Sequence, residues 1–85
     1  MMKPELTVNE CAEAFRANRL SVSNVILTEE ILAGKFHWAH GIRPAGRERA
    51  VIYIYTAPFF AWLEEMLGHP ARGKHMFEEN FGKTE

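Results

Sequence analysis

The sequence predicts a small α+β domain with two short N-terminal helices, a two-stranded β-hairpin and a closing C-terminal helix. Three observations carry this expectation. The stretch Leu6 to Ala14 opens a capped helix, and Ser21-Val22-Ser23 supplies a second helix start. An aromatic strand, a basic loop and a β-branched strand then follow in that order. Two helices followed by such a hairpin is the order of a winged helix-turn-helix, a fold used mostly to enter DNA grooves.

Thr7 is placed to accept a hydrogen bond from the Glu10 backbone N–H while the Glu10 carboxylate reaches back to Thr7. This is the reciprocal capping box for a helix beginning at Val8. Val8, Cys11, Ala12 and Phe15 fall at i, i+3, i+4 and i+7 and form the inner face, with Asn9, Glu10, Glu13 and Arg16 on the other. Ala17-Asn18-Arg19-Leu20 interrupts the pattern; Asn18 serves the helix end and Leu20 tucks inward. Ser23 as N-cap sets Val22 at the staple position facing Leu27. The second helix then runs from about Asn24 to Ala33, with Leu27 and Ile31 facing the core and Gly34 ending it in the left-handed conformation.

Phe36 to Ile42 is too aromatic and too short for another helix and reads as a strand, in which Gly41 marks a bulge or a close approach. Arg43-Pro44-Ala45-Gly46-Arg47-Glu48-Arg49 combines turn residues with three arginines, as both a hairpin tip and a phosphate-contacting wing require. Val51 to Tyr55 is the strongest strand signal in the chain. Thr56 is expected to cap the last helix with Pro58 at its first position; Phe59, Trp62, Leu63, Met66 and Leu67 give apolar positions at helical spacing before Gly68 and Pro70 stop it, so that this helix closes the core.

Eighty-five residues fit one domain, expected at residues 1–68. Residues 69–85 form a tail, flexible or a short docking helix through Met76, Phe77 and Phe81. Two Trp, two Tyr and six Phe provide core material. The single Cys11 has no internal disulfide partner and reads as a structural thiol in a reducing compartment. With no apolar run long enough to span a membrane and no signal-peptide pattern at the N-terminus, a soluble, cytoplasmic protein is expected. The formal net charge is −1, so any DNA contact must rest on local charge and be modest in affinity.

Arg43, Arg47 and Arg49 cluster with Lys35 against Glu48, a local positive excess suited to phosphate or to a solvated loop. Asn24 and Thr28, one helical turn apart, suit an adenine edge or a phosphate, as polar residues on any outer helix face would. His37 and His40 on a strand point to opposite faces and complete no tetrahedron with Cys11, so no metal site is expected. Trp38, Tyr53, Tyr55 and Trp62 read as core and hairpin packing rather than a stacking platform. Cys11, Ser21 and Ser23 lack a paired base or a nucleophile elbow. No catalytic residue, cofactor or enzyme activity is expected.

The ordered stretch from Leu6 to Leu67 resembles the excisionase-like helix-turn-helix proteins of bacteriophages and integrative elements, related to the winged DNA-binding domain of the MerR superfamily. The carriers are LTVNECAEAF, VSNVI, FHWAHGIR, VIYIY and APFFAWLEEML. The resemblance implies a non-enzymatic double-stranded DNA-binding protein that directs recombination or transcription in a phage or mobile element. It implies base-side roles for Asn24, Val25 and Thr28, and backbone roles for Ser23, Lys35, Arg43, Arg47 and Arg49. The implied partners are duplex DNA, a recombinase or integrase, and further copies of the chain on DNA. Glu29 and Glu30 on the second helix narrow the docking geometry, because carboxylates are repelled by phosphates yet can accept from a cytosine amino group. The alternative is a protein-interaction module on the same fold that self-associates or binds a recombinase or replication protein.

Overall fold

The computed structural model describes residues 3–46 and 49–77. A two-residue strand β1 (Glu5–Leu6) leads into helices α1 (Val8–Ala17) and α2 (Asn24–Leu32). Strands β2 (Ala39–Ile42) and β3 (Val51–Tyr55) follow, then helix α3 (Thr56–Leu67) and a 3-10 turn at Lys74–Phe77. The result is a small α+β domain with a three-stranded antiparallel sheet in the order β1-β3-β2. The sheet therefore exceeds the expected two-stranded hairpin. β1 pairs Glu5 with Tyr55 and Leu6 with Ile54, and two residues are too few to show an alternation pattern. Among the described residues, no helix is long and apolar enough to cross a membrane.

The first helix starts as its capping box dictates. The Glu10 N–H donates to Thr7 Oγ1 at 3.0 Å and the Thr7 N–H to Glu10 Oε1 at 2.9 Å. Lys3 Nζ adds an ion pair to the same carboxylate at 2.8 Å. Burial, the largest single influence, pushes the Glu10 carboxyl up, but the hydrogen bonds from Lys3 and Thr7 and the Lys3 charge together hold it below its ordinary 4.5. Cys11, Ala12, Ala14 and Phe15 form the buried face of α1.

That helix ends in a Schellman motif: the Arg19 N–H donates to Arg16 O and the Leu20 N–H to Phe15 O. The motif needs a left-handed residue at its penultimate position, and Arg19 supplies it with φ 65. An L side chain there costs about 1 kcal/mol. The same motif closes α2, where Gly34 with φ 76 fills the equivalent place without that cost.

Ser23 caps α2 by accepting from the Ile26 N–H at 3.1 Å, and Leu27 and Ile31 are its buried residues. Gly41 in β2 reflects a close approach: a Cβ there would lie 2.5 Å from Ile52 Cδ1 and 3.2 Å from Leu32 Cδ2. A larger residue there would require the Ile52 and Leu32 side chains to shift.

Three expectations change at the strand ends. The strand beginning at Phe36 is confined to Ala39–Ile42, because Phe36 and Trp38 curl to stack at 4.4 Å between ring centroids. Tyr55, not Thr56, is the N-cap of α3, and it makes no side-chain cap bond. β3 runs straight into α3, so the Thr56 N–H donates to Pro4 O at 3.1 Å. Pro58 is consequently the third helical residue, still within the first turn, where a missing N–H is harmless. Tyr53 and Tyr55 are not core either, at 40% and 38% exposed; with Val51 they face outward, beside His40 at 5.1 and 5.6 Å.

The core is aromatic. Trp38 is fully buried against Phe36, Phe59 and Trp62, and Phe15 meets Phe59 and Trp62 edge-on. The segment after α3 belongs to the same core through Phe77, which is buried against Phe60. The Lys3 N–H donates to Phe77 O at 3.0 Å. Met76 is exposed, and Phe81 lies outside the described residues.

Replacing Thr7 by Ala is expected to lower the unfolding free energy by about 1 kcal/mol at neutral pH, read by urea denaturation. The folded pKa of Glu10 is depressed, so its contribution is complete above the ordinary carboxyl value and is lost as pH falls through the folded pKa. Glu10→Gln should therefore lower the neutral-pH urea midpoint and flatten its decline toward acid.

Candidate functional site

An open cleft of about 820 Å³ lies between the first turn of α1, one face of α2 and the base of the β2–β3 hairpin. From α2 it is lined by Asn24, Val25, Thr28 and Glu29, and from the hairpin by Arg43, Arg49, Ala50 and Ile52. Thr7, Val8 and Asn9 close its third side. The helix turn explains the α2 contribution. With Leu27 and Ile31 committed to the core, the 100° step per residue swings Asn24, Thr28, Val25 and Glu29 toward the hairpin.

The structure thus brings together Asn24, Val25, Thr28, Arg43 and Arg49 from the expected set. Val25 is 73% exposed, as an apolar residue held out of the core. Asn24 Nδ2 makes a long contact of 3.5 Å with Asn9 Oδ1. Ser23 is not in the lining; its hydroxyl accepts the cap bond that starts α2. Lys35 lies beyond the C-terminal end of α2, where its N–H donates to Glu30 O at 3.2 Å, and so stands apart from the cleft. Arg47 lies outside the described residues.

Electrostatics inside the cleft differ from the charge count along the hairpin. Arg43 Nη2 donates to Glu29 Oε2 at 3.0 Å, an exposed pair between helix and hairpin. Such a pair contributes little to stability, but it halves the positive charge that the two lining arginines would otherwise offer. Arg49 has no ion pair among the described residues. The Glu29 contribution was legible in the sequence only as an acidic residue on the outer helix face; its pairing across fourteen residues was not. Thr7, Val8 and Asn9 were equally hidden, since their sequence signal is that of a helix start.

Cys11 is buried away from this cleft, and burial pushes its thiol up to about 12. It is a packing group with negligible thiolate at neutral pH. Compared with known proteins, the chain matches no family model, no curated protein and no solved structure.

Native protein is expected to resist a thiol-specific aromatic disulfide reagent at mildly alkaline pH and to react fully once denatured. The labelling rate should follow global unfolding; rapid native labelling would contradict the buried assignment.

Proposed function

We propose that the chain is a small, non-enzymatic duplex-DNA-binding protein of winged helix-turn-helix type, acting as an architectural or regulatory factor like the excisionase-like proteins it resembles. One observation carries this reading. The exposed face of α2 with Asn24, Val25 and Thr28, and the hairpin arginines Arg43 and Arg49, border a single concave surface.

The chemistry of that surface suits a groove. Asn24 can read an adenine edge or hold a phosphate, Thr28 offers a hydroxyl, and the exposed Val25 suits a thymine methyl. Arg49, and Arg43 when released from Glu29, suit the neighbouring backbone. In this reading α2 is the recognition helix and the hairpin is the wing. Glu29 has two consequences: it positions Arg43 in the free protein, and it repels phosphate wherever Arg43 leaves it. Copies binding side by side could bend DNA for a recombinase, since one domain of this size contacts only a short site.

A second reading is a protein-interaction module. It is favoured by Ile26 and Ile42, 55% and 59% exposed, and by the outward tyrosines of β3.

Fluorescence anisotropy with labelled random duplex at about 50 and 200 mM salt separates the two. The expected result is saturable binding that weakens steeply with salt, with Arg49→Ala weakening it and flattening the salt slope by about one unit. Binding that is absent at micromolar protein and low salt, or unchanged by Arg49→Ala, would move the assignment to the interaction module.

A further inference from the structure

At the far end of α1 from the cleft, about 15 Å away along a ten-residue helix, lies a second concavity of about 180 Å³. It is lined by Asn18, Arg19, His69 and Arg72. Three features mark it as built rather than incidental.

The first is the clasp that assembles it. Asn18, only 8% exposed, accepts from the Arg72 N–H at 2.7 Å and donates to Arg72 O at 3.1 Å, while also donating to Ala14 O at 2.8 Å. A buried amide thus fixes the backbone of Arg72 directly beside Arg19, across a separation of 54 residues from Asn18. The second is the backbone of Arg19, left-handed at a Schellman position where glycine carries no strain. A non-glycine residue kept in such a conformation points to a use for its side chain. The third is charge. Both arginines are exposed residues, and neither has an ion-pair partner among the described residues. The carboxylate that grips the same loop, Glu64, is occupied by the Ala71 N–H at 2.9 Å and Lys74 Nζ at 3.1 Å. His69 completes the wall, its ring fixed by a 2.9 Å bond from Nδ1 to Pro70 O.

We propose that Arg19 and Arg72 form an anion site for a phosphate group, with Asn18 as its positioning residue. Two guanidiniums on a rigid frame present several N–H donors to the tetrahedral oxygens of one phosphate, the geometry in which arginine outperforms lysine. The site is independent of the α2 cleft and shares no residue with it. Its phosphate comes either free or from a nucleic-acid backbone running past the end of α1.

The test follows the arginine Nε–Hε and backbone amide resonances of the full chain during titration with inorganic phosphate at constant ionic strength, and separately with a short mixed-sequence duplex. Saturable shifts at Arg19 and Arg72 are expected with phosphate; the same shifts with the duplex would identify a backbone as the source, and their absence there a free anion. Arg19→Gly is the decisive variant. It removes one guanidinium and relieves the left-handed backbone, so the melting temperature should rise while phosphate affinity falls at least tenfold. Arg72→Ala should cause a similar loss of affinity. Shifts absent from these arginines in both titrations, or an Arg19→Gly protein that gains stability and binds phosphate as before, would overturn the site.

Discussion

Trp38 has no exposure to solvent, and around it the helices and the sheet meet. It stands at the head of β2, stacks on Phe36 and packs edge-on against Phe59 of α3, while Phe15 of α1 reaches the same ring group through Phe59 and Trp62. Removing a buried ring of this size costs about 3–5 kcal/mol. A domain this short has a total stability of only about 5–15 kcal/mol, and a small core puts it toward the lower end. One aromatic cluster therefore decides whether the remaining elements are positioned at all.

The cleft depends on that cluster indirectly. Once β2 and α3 are fixed, β3 lies between β1 and β2, and the close approach at Gly41 brings β2 against Leu32 at the end of α2. α2 is then held by Leu27 and Ile31 inside and by the Ser23 cap at its start. What remains outside is the Asn24, Val25, Thr28 and Glu29 face, turned toward the base of the hairpin. The Glu29–Arg43 pair joins the two walls without burying charge. This makes the cleft a preformed surface whose polarity is set by a few side chains rather than by net charge.

Local signals were legible in the sequence because their partners lie within one helical turn. The Thr7–Glu10 box, the Ser23 cap and the Gly34 stop each involve residues three or four apart, and each fixes a helix boundary. Features that depend on distant residues were not legible. β1 exists because Glu5 and Leu6 find Tyr55 and Ile54 far along the chain; Tyr53 and Tyr55 are exposed because no described element covers that face of the sheet. Arg19 offered no cue either, since the residue usual in its conformation is glycine. In the cleft, Asn24 and Thr28 could be read from helix spacing and Arg43 and Arg49 from the hairpin's charge, while Val25 came only with the family resemblance. Lys35 is absent from the cleft lining because it follows the left-handed turn at Gly34, beyond the C-terminal end of α2.

The most direct test of the account is a backbone amide NMR footprint of the full chain with a short mixed-sequence duplex at low salt. The largest shifts are expected at Asn24, Val25, Thr28 and Arg49, with the outer sheet face of His40, Tyr53 and Tyr55 unmoved. Shifts centred on that sheet face, with the cleft silent, would contradict it.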